Sequence, residues 1–133
     1  MTNSENSAPV ASILLVEDDE SVRHVLGKAL LRRGYRVLEA SNGARAFEMI
    51  EQGETVDVVV TDVVMPEMGG FELAARLRRR ETAVRVLLIS GYTRSDGALQ
   101  GNPLLPAGTY FLRKPFSTDL LDEMLRQMLA DPP

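Results

Sequence analysis

The stretch that decides the fold is TVDVVVTDVVMPEMGG, residues 55 to 70. Its apolar run, residues 56 to 61, has the length and composition of a strand buried on both faces, and it ends at Asp62. Met65, Pro66 and a pair of glycines follow, which indicates a turn and then the start of another element. A carboxylate at the end of a buried strand is either an ordinary surface residue or a reactive group that the fold holds in position. The other residues of the chain distinguish these two interpretations.

Strand-like and helix-like patterns alternate on both sides of this stretch. The predicted strands cover residues 12–16, 35–39, 56–61, 84–89 and 110–112. Five helices are predicted between and after these strands. The first carries an apolar stripe over residues 22–30, the second begins at 42 and stops at 53, and the third spans 70–80. The fourth is a short, weak element within 92–106, and the fifth follows a cap at Ser117 and carries a stripe over 120–129. Five βα units in a row predict an α/β fold with a parallel sheet covered by helices on both faces.

Length and composition indicate one domain. The chain has 133 residues and no cysteine, which excludes disulfides, zinc–cysteine sites and thiol chemistry. Residues 1–11 are rich in Ser, Asn and Ala and predict a flexible leader, residues 12–130 the domain, and residues 131–133 a tail.

Charge and hydropathy narrow the location and the partners. The net charge of −4 argues against broad nucleic-acid binding. No apolar run approaches the ~18 residues of a membrane span, and no cleavable signal sequence is visible. We therefore expect a cytoplasmic domain that contacts neither nucleic acid nor membrane.

Charged and hydroxyl groups follow four of the five predicted strands. The first strand is followed by Glu17 and Asp18, the third by Asp62, the fourth by Ser90 and the fifth by Lys114. Ligands of parallel α/β folds bind at the carboxyl ends of the strands, so these groups are expected to meet at one edge.

The chemistry of this set favours phosphoryl transfer. Clustered carboxylates repel one another and need a cation, and ligands that are all oxygen suit Mg²⁺. The metal and Lys114 together can neutralise a phosphoryl group in transfer, and the Ser90 hydroxyl can donate a hydrogen bond to it. Asp62 can act as the nucleophile and form an aspartyl phosphate.

At these residues the sequence resembles the response-regulator receiver domains, over residues 12–130. The resemblance is carried by Glu17-Asp18 after a strand, Asp62 with Met65-Pro66 and Gly70, Ser90-Gly91, and Lys114-Pro115-Phe116. Residues 87–93 and 101–116 are similar in particular to the C-terminal receivers of hybrid sensor histidine kinases. The resemblance leaves open whether the chain is a free-standing receiver or part of such a kinase.

The resemblance implies a flavodoxin-like, doubly wound (βα)5 fold with strand order 2-1-3-4-5. It also implies Asp62 as the phosphoacceptor, Glu17 and Asp18 as acids of the metal site, and the Val64 carbonyl as a further ligand of Mg²⁺ or Mn²⁺. Lys114 would contact the phosphoryl group. Such a domain is not an enzyme for external substrates, although it catalyses its own phosphorylation and dephosphorylation.

The resemblance further implies a switch and its partners. Ser90 and Phe111 would move toward the phosphorylated site and re-form the surface around residues 91–112. Phe111 has no hydroxyl, and Tyr110 is expected to face the other side of the sheet. The implied partners are a histidine kinase or a histidine phosphotransfer domain, with a homodimer through the last strand and helix as a further possibility.

Several of these residues have plainer interpretations. Asp19 and Glu20 are interpreted as acids favoured at a helix N-terminus, and His24 as a solvated helix residue rather than a phosphodonor. The arginines of residues 76–80 are interpreted as a solvated helix end rather than a nucleic-acid patch. The run before Asp62 is also similar to haloacid-dehalogenase-type phosphatases, but those need a second Asp where this chain has Val64.

Two other classes of function stay open. One is a hydrolase of small phosphoesters that uses the same acids. The other is a pseudo-receiver that binds a partner without being phosphorylated.

Overall fold

The computed structural model describes residues 8–80, 83–91 and 108–130. Its five strands are β1 Ser12–Val16, β2 Arg36–Ala40, β3 Val58–Asp62, β4 Arg85–Ser90 and β5 Thr109–Arg113. They form one sheet in the order β2-β1-β3-β4-β5, and every neighbouring pair is parallel. The predicted doubly wound parallel sheet with strand order 2-1-3-4-5 is confirmed.

Four helices cover this sheet in the part of the chain that the structure describes. They are α1 Glu20–Arg32, α2 Gly43–Glu51, α3 Gly70–Arg79 and α4 Thr118–Ala130. Side chains of α1 and α4 share one apolar cluster with the sheet, and those of α2 and α3 share another, so two helices cover each face. None of these described helices is long and apolar enough to cross a membrane.

Some predicted features lie outside the described residues. These are the short helix within 92–106, most of the predicted switch surface of residues 91–112, most of the leader of residues 1–11, and the tail of residues 131–133. Within the leader, the Val10 N–H donates to the Gly34 carbonyl at 2.9 Å, and Ala11 is buried. The backbone of these two residues therefore joins the body of the domain.

The central strand β3 explains why the opening stretch is so apolar. Val58, Val59 and Val60 are fully buried, because β3 lies between β1 and β4 and has helices on both faces. Val58 and Val60 pack into the cluster shared with α1 and α4, and Val59 into the cluster shared with α2 and α3. Asp62 pairs in register with Ile89 and is the first residue of β3 to lose full burial.

The helix ends agree with the local sequence signals. The side chains of Asp19, Asn42 and Ser117 each accept a hydrogen bond from the backbone N–H three residues later, at 3.1, 2.8 and 3.0 Å. Each therefore caps the helix that follows, which confirms the cap predicted at Ser117 and places Asp19 at the N-terminus of α1, where an acid was expected. Gly34 follows α1 with a φ of 95°, a left-handed conformation that favours glycine.

The face that α1 turns toward the sheet differs in part from the predicted one. The apolar stripe over residues 22–30 was expected to be buried, but Val22 is 37% exposed and Val25 is 65% exposed. Leu30 of the predicted stripe is buried and Leu26 packs against the cluster shared with α4, as expected, and Gly27 is buried as well. Gly27 faces the Glu39 carboxylate of β2, and the two valines face outward.

The arginines near the end of α3 mostly pack within the chain's own fold. The guanidinium groups of Arg76 and Arg80 lie 5.8 and 5.9 Å from the ring centre of Phe47 on α2. Arg78 is partly buried and donates to the Val84 carbonyl. Arg78 therefore departs from the interpretation of these arginines as a solvated helix end.

A buried carboxylate joins α4 to the turn between α1 and β2. Asp122 accepts hydrogen bonds from the Tyr35 hydroxyl at 2.6 Å and from the guanidinium groups of Arg33 and Arg126 at 3.2 Å each. Burial acts to raise the pKa of Asp122, but the hydrogen bonds from Tyr35, Arg126 and Arg33 outweigh it and hold the pKa below its usual range. Sequence reasoning missed this residue because it lies within an apolar stripe.

We predict that Asp122→Asn lowers the free energy of unfolding at neutral pH by about 2 kcal/mol, because hydrogen bonds to a charged group are lost. The folded-state pKa lies below the unfolded one, so this stabilisation is present above about pH 4 and is lost as pH falls through the folded pKa. Urea denaturation of both proteins from neutral to acid pH measures the gap.

The matched control is Asp119→Asn, which removes the almost fully exposed partner of the same Arg33. Its cost is expected to stay below about 0.5 kcal/mol, as for other exposed ion pairs. A gap between the wild-type chain and Asp122→Asn that did not shrink with acid would contradict the prediction.

Candidate functional site

The carboxyl ends of four parallel strands bring the predicted site residues to one edge of the sheet. Glu17 and Asp18 follow β1, Asp62 ends β3, Ser90 ends β4 and Lys114 follows β5. The strands hold this order because β1 and β4 flank β3, and β5 flanks β4. Residues more than forty positions apart in sequence therefore lie side by side.

Three acids form a cluster that can hold a metal ion. Glu17, Asp18 and Asp62 each offer one carboxylate oxygen, and these oxygens lie within 4.8 Å of one another. Glu17 is buried, Asp62 is partly buried and Asp18 is exposed, so the cluster opens to solvent on one side. An all-oxygen set with an open side fits a hard ion such as Mg²⁺, which keeps several water ligands.

Glu17, the buried member of this cluster, has a pKa well above that of an ordinary glutamate. Burial raises the pKa of Glu17 to about 7, the hydrogen bond from the Asp19 N–H at 3.0 Å opposes the rise, and the charge of Asp62 adds to it. In the absence of a cation, Glu17 therefore holds a proton for part of the time near neutral pH. That proton relieves the repulsion among the three acids.

Asp62 also has a cationic partner. The Lys114 ammonium lies 3.3 Å from a carboxylate oxygen of Asp62, and the Asp62 side chain is 15% exposed. The backbone holds Lys114 in place, because its N–H donates to the Ser90 carbonyl at 2.8 Å. Ser90 itself is buried at the end of β4. Asp62 thus lies between a cluster of acids and a single cation.

The loop after Asp62 folds back tightly on the strand. A methyl group on Gly70 would lie 2.5 Å from the Asp62 carbonyl oxygen and 2.7 Å from a side-chain carbon of Leu88. Gly43, which begins α2, packs as closely on the Met68 carbonyl. Glycine at residue 70 therefore lets α3 start close to Asp62. Val64, in the same loop, has a highly exposed side chain.

Phe111 of β5 packs against α3. Its ring is half-buried and lies 6.4 Å from that of Phe71 on α3, tilted by 55°. It packs on the sheet face covered by α2 and α3, whereas Tyr110 packs on the face covered by α1 and α4. The two aromatic rings face opposite sides of the sheet, as strand alternation predicts.

Comparison with known proteins identifies this arrangement. The model of the response regulator receiver domain matches residues 13–126. The chain belongs to this family. Receiver domains are regulatory modules of two-component systems, interact with histidine kinases or phosphotransfer proteins, and usually bind Mg²⁺.

Two curated relatives are of different kinds. The receiver is 42% identical to the sensor kinase CckA of Brucella abortus over 120 residues. This match covers 90% of the present chain but only 12% of that kinase. It is 38% identical over 119 residues to the response regulator receiver protein CpdR of the same organism, covering 89% of this chain and 97% of CpdR. Both a part of a large kinase and a free-standing receiver are therefore among its relatives.

Solved structures show the same fold. The receiver domain of the hybrid histidine kinase CckA has a TM-score of 0.71 at 33% identity, covering 89% of this chain and 98% of that one. The response regulator TrrA of Thermotoga maritima, solved in complex with Mg²⁺-BeF, has a TM-score of 0.76 at 26% identity, covering 90% of this chain and 99% of that one.

Sequence reasoning missed two residues that support the acidic turn, which is the turn after β1 that carries Glu17 and Asp18. Arg23 on α1 donates to the Glu17 carbonyl at 2.8 Å and to the Glu39 carboxylate at 3.1 Å. The available signal was Glu39 itself, a charged residue in a strand next to the first helix. Its partner could not be assigned, because the two lie 16 positions apart in sequence.

We predict that Gly70→Ala lowers the free energy of unfolding by about 2 to 3 kcal/mol, since the added methyl group overlaps backbone and core atoms. Gly91→Ala is the matched control at the next strand end, where the nearest atom to an added methyl group is a Lys114 carbon at 3.9 Å. Its effect is expected within about 0.5 kcal/mol. Equal costs for the two variants in urea denaturation would show that the loop does not constrain Gly70.

Proposed function

We propose that this receiver accepts a phosphoryl group on Asp62 from the phosphohistidine of a histidine kinase or a histidine phosphotransfer domain. The observation that carries the proposal is the position of Asp62 between the acids Glu17 and Asp18 and the ammonium of Lys114. In this step an Asp62 oxygen forms the bond to phosphorus and the nitrogen–phosphorus bond breaks. The electron pair of that bond returns to the imidazole, which takes up a proton from solvent.

The chain's own residues divide the work of this step. Glu17, Asp18, Asp62 and the Val64 carbonyl would hold Mg²⁺, which when bound neutralises charge on the phosphoryl oxygens. Lys114 already pairs with Asp62, and its ammonium can transfer that contact to a phosphoryl oxygen. The partial exposure of Asp62 leaves one side of the carboxylate open for in-line attack.

An apolar groove beside the site fits the phosphodonor. It is lined by Val22, Val25 and Leu26 of α1 and by Lys114, Pro115 and Phe116 after β5. Since Lys114 belongs to both the groove and the site, a helix lying in the groove would carry its histidine next to Asp62. We propose that the groove docks the histidine-bearing helix of the donor.

Phosphorylation would then change the partner surface around residues 91–112. Ser90 is buried at the end of β4, and Phe111 packs on Phe71 at the border of that surface. An added phosphoryl group brings up to about two negative charges, which attract the Ser90 hydroxyl and the Lys114 ammonium. A homodimer through β5 and α4, and a cytoplasmic location, remain proposals from the sequence.

The two alternative classes of function differ from this proposal in how much phosphate the chain takes up or releases. A hydrolase of small phosphoesters would turn over more than one phosphate per chain. A pseudo-receiver would take up none. The complete set of Glu17, Asp18, Asp62, Ser90 and Lys114 favours phosphorylation over the pseudo-receiver.

We predict that incubation with acetyl phosphate and Mg²⁺ adds one phosphoryl group per chain, measured by intact mass. Asp62→Asn should remove the label, because the amide is not a nucleophile, and chelation of Mg²⁺ should suppress it. Asp57→Asn is the matched control, an acid that precedes β3 at the opposite edge of the sheet, and should be labelled like the wild-type chain. Labelling that persists in Asp62→Asn would overturn the proposal, and repeated turnover would favour the hydrolase.

We predict that Val25→Glu slows phosphorylation by any histidine phosphotransfer domain that labels the wild-type chain, by roughly tenfold. Labelling by acetyl phosphate should be unchanged, because a small donor needs no groove. Leu31→Glu is the control, since Leu31 is exposed on the same helix and does not line the groove. If Val25→Glu and Leu31→Glu slow the protein donor equally, the docking assignment is wrong.

A further inference from the structure

Arg23 connects the first helix to the turn that carries the acids. Its guanidinium donates through Nη1 to the Glu17 backbone carbonyl at 2.8 Å and through Nε to a Glu39 carboxylate oxygen at 3.1 Å. The Arg23 side chain is 18% exposed and its bond to the Glu17 carbonyl is partly buried, whereas the Glu39 side chain is 46% exposed. A single side chain thus joins α1, β2 and the turn after β1.

The position of Glu39 depends on a glycine. A methyl group on Gly27 would lie 3.0 Å from the second carboxylate oxygen of Glu39. Glycine in a helix interior costs stability relative to alanine, by roughly 0.5–1 kcal/mol. At this position it leaves the space in which the Glu39 carboxylate meets Arg23.

The turn held by Arg23 is the one that presents Glu17 and Asp18. The Glu17 N–H donates to the Ala40 carbonyl at 3.1 Å, which fixes one side of the peptide chain. The Glu17 carboxylate accepts from the Asp19 N–H at 3.0 Å, which closes the turn. Arg23 holds the remaining polar group of Glu17, its carbonyl oxygen, from the side of the helix.

An isolated surface ion pair contributes little to stability, and the Arg23–Glu39 pair could be taken for one. The bond to the Glu17 carbonyl distinguishes it, because this bond constrains the backbone that carries two of the three clustered acids.

We propose that Arg23 is a positioning residue for the metal site, and that Glu39 and Gly27 hold it in place. It presets the acidic turn so that Glu17 and Asp18 meet Asp62 in a geometry that binds a divalent cation. The inference rests on the proposed Mg²⁺ site, and it assigns to α1 and β2 a part in cation binding without direct contact with the ion.

The first test measures the dissociation constant of Mg²⁺ for the full chain by isothermal titration calorimetry. Arg23→Ala is expected to raise it roughly tenfold, as loss of a residue that orients metal ligands commonly does. Arg32→Ala removes the same charge from the end of the same helix and is expected to change it by less than about twofold, since exposed charges at a distance are screened. Arg23→Lys keeps the charge but not the forked donors, and should restore the affinity only in part.

The second test uses Gly27→Ala, whose stability and affinity should move in opposite directions. Alanine favours the helix, so urea denaturation of the metal-free protein should show equal or higher stability. The added methyl group displaces the Glu39 carboxylate from Arg23, so Mg²⁺ should bind more weakly, by several-fold. A residue with a merely structural role would not separate these two quantities.

The outcomes separate this inference from the function on which it rests. Weaker binding in Arg23→Ala and Gly27→Ala, with Arg32→Ala unchanged, supports it. Wild-type affinity in both variants, or an equal loss in Arg32→Ala, overturns it and leaves the proposed metal site intact. If Mg²⁺ does not bind the wild-type chain, or binds equally to Asp18→Asn, the proposed site fails and the inference fails with it.

Discussion

Electrostatic repulsion among three carboxylates is the constraint on which the site depends. The oxygens of Glu17, Asp18 and Asp62 lie within 4.8 Å of one another, a separation at which like charges repel. The Lys114 ammonium beside Asp62 offsets part of this repulsion, and burial together with the charge of Asp62 raises the pKa of Glu17 to about 7. These compensations are partial, which fits the Mg²⁺ that receiver domains usually bind.

The fold separates this site from the contacts that stabilise the domain. The valines of β3 lie in a core shared by both sheet faces, and the loop after β3 is fixed by close contacts at Gly43 and Gly70. The buried network of Asp122 lies beyond the C-terminal end of α1, where it ties that turn to α4. Protonation or metal binding at the acids can therefore change without loosening the network around Asp122.

The sequence was sufficient for the strands and for the convergence of site residues, because both follow from local rules. Period and length identify the strands, and parallel pairing places their carboxyl ends together. Asp122 and the Arg23–Glu39 pair could not be predicted in this way. Each is a polar residue whose partners lie on other elements, and no local period marks such a contact.

The error over the two valines of α1 has a physical explanation that connects the groove to the acid cluster. Arg23, Gly27 and Leu30 recur at i, i+4 and i+7, so they form one stripe of the helix, and this stripe faces the sheet. Apolarity alone favours Val22 and Val25, since it ignores that an arginine can be shielded when a carboxylate and a carbonyl receive it. Once Arg23 is inward, the valines must face out beside Lys114. A single rotation of α1 therefore both supports the acidic turn and leaves an apolar surface next to the acid that is proposed to receive the phosphoryl group.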